Sequence, residues 1–261
     1  MVPAPADADA QAADWEHRLR ELGSPERAAR EKAYLKSDLV FAGVPMPVLR
    51  SVVAAWCTAQ PALTAAELTG LASALWESPL YECRQSAVLL LERGTALLRP
   101  ADAALVERLL RNSRTWALVD GLAVHVAGDL VERYPELAVT LDRWARDDDF
   151  WLRRSALLAL MKPISRGGGD FDRFARYADT MLEEREFFVR KAIGWVLRET
   201  AKRRPGLVAA WLGPRVHRAS GVTVREAVKP LPDDVRAEVL RGYRDKQPIT
   251  CDHGPEAGGA S

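Results

Sequence analysis

CRQSAVLL at 83–90, LVDGLAVH at 118–125, LRRSALLA at 152–159, VRKAIGWV at 189–196 and VREAVKPL at 224–231 align without a gap. The alignment pairs Arg84, Val119, Arg153, Arg190 and Arg225, at spacings of 35, 34, 37 and 35 residues. Two places on, every copy carries a small residue: Ser86, Gly121, Ser155, Ala192 and Ala227. A period of this length, with room for two helices per unit, marks an α-solenoid whose repeats bury their apolar faces against one another. The small residue fits that arrangement, because neighbouring second helices must approach closely to stack. The expected fold is therefore all-α, a right-handed solenoid of HEAT-like helical pairs with a concave groove.

The rest of the chain agrees with this reading. Apolar residues recur at spacings of three and four in 47–58, 64–76, 80–93, 102–110, 114–133, 136–146, 149–161, 171–183 and 186–203. Pro47, Ser78-Pro79, Pro100, Pro135, Pro205 and Pro232 stand where helices should begin. The longest expected interruption is the connector PISRGGGD at 163–170. One helical domain is expected over 11–245, between mobile ends at 1–10 and 246–261.

Repetition also sets the phase of each helix. The position after the aligned Arg holds Gln85, Asp120, Arg154, Lys191 and Glu226, polar residues on otherwise apolar helices. They are expected to line the concave surface. Trp116 lies four residues before Asp120, Trp151 three before Arg154, and Trp195 four after Lys191. These spacings keep side chains on one side of a helix. The groove is thus expected to present a carboxylate, several cations and indoles together.

Composition narrows the classes of function. The chain has 261 residues, 48% hydrophobic and 28% charged, as in a folded globular protein. Its 37 basic and 36 acidic residues nearly cancel, but their distribution is uneven. Residues 185–229 hold eleven Lys or Arg against three Glu, whereas residues 1–100 carry a net charge of −2. A surface polarised in this way suits a polyanion. Cys57, Cys83 and Cys251 are far apart, with no CxxC and no histidine at metal spacing, so reduced thiols and no metal or cofactor are expected. The opening MVPAPADADAQAAD lacks the features of a signal peptide, and no apolar run reaches the length of a membrane span. A cytoplasmic monomer, nucleoid-associated in a bacterium, is the expected setting.

A carboxylate beside a polyanion opposes binding. It becomes useful where positive charge develops on a sugar, as in cleavage of an N-glycosidic bond, since carboxylates and indole faces both stabilise a cation. The stretches YLKSDLVFAGVPMP (34–47), LWESPLYECRQSA (75–87), TWALVD (115–120), FWLRRSALL (150–158) and FFVRKAIGWVLRETAK (187–202) resemble the AlkD family of DNA alkylation-repair glycosylases, from about residue 30 to 230. The resemblance implies a HEAT-like repeat protein that wraps duplex DNA and releases N3- or N7-alkylated purines without deep base flipping. It places the reaction on Trp116, Asp120, Arg154 and Trp195, with Tyr34 as an aromatic contact to DNA. Lys36, Arg114, Arg153, Arg190, Lys191 and Arg225 are the further candidate DNA contacts. Ala117, where the family usually has a second acidic residue, departs from the pattern, as does Pro45–Pro47. Three other roles stay open: release of bulky adducts in self-resistance to a DNA-alkylating natural product, DNA binding without catalysis, and a protein-interaction scaffold.

Overall fold

A computed structural model describes residues 5–246 of the chain, with side chains from residue 8. The expected tail from 246 therefore lies outside the described residues except for Lys246, as do residues 1–4. Residues 5–10, read from sequence as part of a mobile end, belong to a helix. The chain divides into two compact units, up to Ala138 and from Val139. Each is described separately below.

The first unit contains α1 (Pro5–Glu21), α2 (Pro25–Leu35), α3 (Met46–Thr58), α4 (Ala65–Glu77), α5 (Tyr81–Arg93), α6 (Ala103–Arg111), α7 (Trp116–Gly121) and α8 (Gly128–Arg133). A π-helical segment, Leu122–Ala127, joins α7 to α8, so the single helix expected over 114–133 is interrupted in register. The helix starts are well specified. Ser24 caps α2 ahead of Pro25, and Thr64 with Glu67 forms a reciprocal capping box on α4. Helix α1 packs on α4 and α5 through Trp15 and Leu19, both buried. The Trp15 indole N–H donates to the Ser86 hydroxyl at 3.1 Å.

The second unit runs from α9 (Ala138–Trp144), which opens at the boundary, through α10 (Phe150–Ala159), α11 (Met161–Ser165), α12 (Phe171–Thr180), α13 (Phe187–Ala201), α14 (Pro205–Leu212), α15 (Gly221–Ala227) and α16 (Asp233–Asp245). The connector expected from Pro163 starts later, because α11 continues helically to Ser165. The chain then turns through Gly167 and Gly169, both at positive φ. Apart from one parallel bridge pairing Val40 with Leu80, no β-structure occurs among the described residues.

The architecture is an all-α solenoid of helical pairs, and the aligned segments are its second helices. In the first unit α5 packs against α7; in the second α10 packs against α13, and α13 against α15. Ser86, Ser155, Ala192 and Ala227 are fully buried at these contacts. Gly121 sits so close to α5 that an added methyl would come 2.6 Å from a Val88 methyl carbon. Gly194 faces backbone as well as side chain, for a Cβ there would meet Glu226 Cβ at 2.7 Å and the Thr223 carbonyl oxygen at 2.9 Å.

This close approach carries an expected outcome. Gly194→Ala should overpack the α13–α15 contact and cost about 1–3 kcal/mol. Gly70→Ala, within α4 where a methyl meets nothing within 4 Å, should instead gain about 0.5–1 kcal/mol from helix propensity. Thermal unfolding of the two variants should move Tm in opposite directions; a Gly194→Ala protein as stable as wild type would contradict the packing described.

Candidate nucleic-acid interface

In the first unit the candidate residues gather at the end of α2 and the start of α7. Tyr34 lies in the last turn of α2 and is 72% exposed. Its ring meets the Trp116 indole edge to face, 5.9 Å between centroids at 82°. Lys36 closes α2 in the left-handed conformation (φ 49°), which turns the chain sharply away from the helix. Arg114, also left-handed at φ 55°, precedes α7 and holds the Asp38 carboxylate at 2.9 Å, with both side chains more than half exposed. Trp116 is the first residue of α7, and Asp120, half-buried, follows one turn later on the same side of the helix. Tyr34, Lys36, Arg114, Trp116 and Asp120 thus share one region of the first unit.

Glu82 shapes the chain leading into this region, and its sequence context did not reveal that. Its buried carboxylate accepts from three backbone N–H groups, Ala42 at 3.0 Å, Gly43 at 2.6 Å and Val44 at 3.2 Å. Charge-assisted bonds of this kind are strong and leave little freedom to the loop between α2 and α3. Gly43 adopts φ +79°, and a Cβ there would strike the Ser24 carbonyl oxygen at 2.3 Å. A buried acid two residues before the aligned Arg was the available signal, but nothing in sequence separates it from a surface salt-bridge partner.

A cavity of about 420 Å³ opens beside this region. Its walls are mainly apolar, Val44, Leu49 and Val88 among them, and Tyr34 and Trp116 line it as well. Gln85 and Tyr81 contribute polar atoms, and the Tyr81 hydroxyl donates to the Gln85 side-chain oxygen at 3.1 Å. Burial pushes the Tyr81 phenol well above its ordinary range, with the Glu31 and Glu82 charges adding to the effect, so it stays protonated. His125, in the π segment, also lines the cavity, its Nδ1 3.4 Å from the Glu92 carboxylate. π turns of this kind recur at functional sites.

In the second unit, Arg154 is only 2% exposed. Its guanidinium donates to the Phe188 carbonyl and lies 5.9 Å from the centre of the Phe188 ring. Trp151, whose N–H is capped by Asp149, packs half-buried against Phe150 and Phe188 at 4.4 and 5.0 Å. Lys191 is exposed, its ammonium 5.9 Å from the Phe187 ring centre, and Trp195 is half-buried one turn further along α13. The five positions expected to line an open surface therefore differ in exposure. Lys191 is exposed, Asp120 and Glu226 are half-buried, and Gln85 and Arg154 are buried.

The aligned arginines have an internal role. Arg84 donates to the Ser78 carbonyl at 3.0 Å, Arg153 to that of Asp147 at 2.7 Å, and Arg190 to that of Glu184. In each case the acceptor lies six residues upstream, in the loop that feeds the second helix. Arg84 also reaches the Asn112 carbonyl at 2.9 Å, and Arg153 grips the Glu184 carboxylate at 2.9–3.0 Å. Burial depresses the Arg84 pKa, with the Arg114 charge adding to it. Arg153 and Arg190, candidates for DNA contact from sequence, thus spend much of their donor capacity on the protein's own backbone. Arg225 is exposed and makes no such bond among the described residues.

The basic run at 185–229 is likewise engaged. Arg215 and Arg218 pair with Asp179 at 3.1 Å, and Arg198 and Lys229 with Glu226. Arg203 and Arg204 donate to the Arg166 and Ile164 carbonyls. Asp179 lies outside the run, which is why counting charge within it overstated the available potential. Among the described residues no group of three or more His, Cys, Asp or Glu is placed to hold a metal ion, and no helix is long and apolar enough to cross a membrane.

The internal role of the aligned arginines can be checked directly. Arg190→Ala should lower stability by about 1–3 kcal/mol, because the loop carbonyl loses its donor, and Tm should fall accordingly. An unchanged Tm with weakened duplex binding would return Arg190 to the surface role expected from sequence.

The family model of the DNA alkylation repair enzyme matches residues 15–231. No curated protein matches the chain. Among solved structures, the predicted DNA alkylation repair enzyme from Enterococcus faecalis superposes with a TM-score of 0.72 at 24% identity, over 81% of this chain and 97% of its own. AlkD2 from Streptococcus mutans gives 0.56 at 18% identity, over 72% of this chain and 90% of its own. The protein smu.31 from Streptococcus mutans UA159 gives 0.54 at 18%, over 70% and 100%. At these identities the structural likeness is one of fold.

Proposed function

Because the chain belongs to the DNA alkylation repair enzyme family, we propose that it is a monofunctional DNA glycosylase releasing N3- or N7-alkylated purines from duplex DNA. The observation that carries this reading is the placement of Trp116 and Asp120 one turn apart on α7, with exposed Tyr34 against the indole. An alkylated purine is cationic and already activated as a leaving group, so no general acid is required. As the glycosidic bond breaks, positive charge moves to the deoxyribose. Asp120 stabilises that charge and orients the attacking water, while the Trp116 face contributes through its quadrupole. Tyr34, Lys36 and Arg114 hold the DNA backbone beside them.

In the second unit, Lys191, Trp195 and Arg225 are further contacts to duplex DNA. Arg154 acts here as a positioning residue, since its buried guanidinium fixes the Phe188 carbonyl at the start of α13. Repair by alkyl transfer to a thiol is less well supported. The Cys83 thiol is fully buried and pushed up to about 12, chiefly by burial, and burial also raises Cys57. Neither supplies thiolate at neutral pH. Cys251 lies outside the described residues.

Asp120→Asn keeps the size of the side chain and removes its charge. Single-turnover release of 7-methylguanine should slow by about tenfold or more, since each 1.36 kcal/mol of lost transition-state stabilisation is a factor of ten. Duplex affinity should hold or improve, because a negative charge has left a phosphate-binding surface. A variant that excises as fast as wild type would reduce Asp120 to a structural role and overturn the mechanism proposed for it.

A further inference from the structure

Asp38 and Arg114 pair on the surface of the first unit, and the proposed chemistry gives this carboxylate no task. The Arg114 guanidinium donates to it at 2.9 Å, with the Arg114 side chain 57% and the Asp38 side chain 68% exposed. Each residue stands outward between buried neighbours, Asp38 between Ser37 and Leu39, Arg114 between Ser113 and Thr115. The flanking backbone is pinned as well. The Val40 N–H donates to the Pro79 carbonyl at 3.0 Å, and the Asn112 carbonyl accepts from Arg84 at 2.9 Å. The pair is thus positioned by its backbone while both side chains remain in water, where an ion pair contributes little to stability. Around it the chain departs from ordinary geometry. Lys36 and Arg114 are left-handed residues other than glycine, and the Thr115 hydroxyl is buried without a hydrogen-bond partner among the described residues. Costs of this kind collect at functional sites.

We infer that the Asp38 carboxylate occupies a phosphate site, and that the backbone of duplex DNA displaces it to reach Arg114. The inference rests on the proposed reading in which Arg114 faces DNA. Left in place, the carboxylate would repel the phosphates that Lys36 and Arg114 attract. Carboxylate and phosphate oxygens make the same charge-assisted bond to a guanidinium, so one can replace the other by side-chain movement alone. The site also calls for an anion. Burial depresses the Arg84 pKa and the Arg114 charge adds to it, while Glu77 and Asp38 oppose the effect. Glu77 is itself paired with Arg108 at 3.2 Å. When Asp38 swings away, a phosphate supplies the negative charge that Arg84 and Arg114 lose. Competition of this kind lowers affinity for duplex, since the ion pair must open before the phosphate contact forms.

The test titrates an undamaged duplex with the full chain at low salt, followed by fluorescence anisotropy, for wild type, Asp38→Asn, Arg114→Ala and the double variant. Asp38→Asn should bind about threefold tighter, the gain expected when an exposed ion pair no longer competes. Asp38→Ala, which offers Arg114 no hydrogen-bonding group, should do the same. In the Arg114→Ala background the gain should shrink, because no phosphate contact is left to unmask. Unchanged or weaker binding by both Asp38 variants would overturn the inference. An equal gain in the two backgrounds would overturn it too, since Asp38 would then act through general repulsion alone. Base release from alkylated duplex is measured on the same preparations to separate the two proposals. Excision by wild type without coupling between Asp38 and Arg114 removes the exchange alone. Coupling without excision supports the exchange and removes the glycosylase reading. A wild type that binds no duplex removes both.

Discussion

Three of the five loops that deliver a second helix carry a carbonyl that a guanidinium six residues later satisfies. The bonds from Arg84 to Ser78, Arg153 to Asp147 and Arg190 to Glu184 repeat one geometry at three places. Loop backbone close to a packed core needs partners for its polar groups, and the helix itself provides none before its first turn. The clamp supplies one from within the helix, and so sets where that helix begins. With the start fixed, the small residue two places beyond the Arg falls at the contact between neighbouring second helices. Ser86, Ser155 and Ala192 are buried there.

The two copies without a clamp are informative. Val119 replaces Arg in the helix that carries Trp116 and Asp120. That helix begins instead after the left-handed Arg114 and passes into a π segment at Leu122. The candidate site thus occupies the copy that departs most from the repeat's own geometry, as expected where local regularity yields to function. Glu82 provides rigidity by another route, binding three loop N–H groups with one carboxylate. Arg225, the other exception, keeps its charge exposed.

The repeat period, the small residue and most helix starts were legible because they follow from periodicity and backbone geometry, which a single chain displays openly. The division after Ala138 was not, since the 34-residue spacing from Val119 to Arg153 continues across it unchanged. The roles of the arginines were also hidden. An Arg that clamps a carbonyl and one that awaits a phosphate look alike in sequence, and only burial and partners separate Arg153 from Arg225. Arg154 shows the same ambiguity more sharply, as a residue read as groove-lining that lies buried against Phe188. The pairing of Tyr34 with Trp116 joins positions too far apart for periodicity to relate. The cavity beside them depends on side-chain volumes from several helices and had no sequence signature.

The proposed cleavage of a glycosidic bond is tested by the identity of its product. Duplex DNA carrying a single 7-methylguanine is incubated with excess wild-type protein, and both the supernatant and the DNA are analysed by mass. Free 7-methylguanine should appear in solution beside an intact strand bearing an abasic site, with the protein mass unchanged. Recovery of DNA with its modified base still attached, or transfer of the methyl group to the protein, would contradict it.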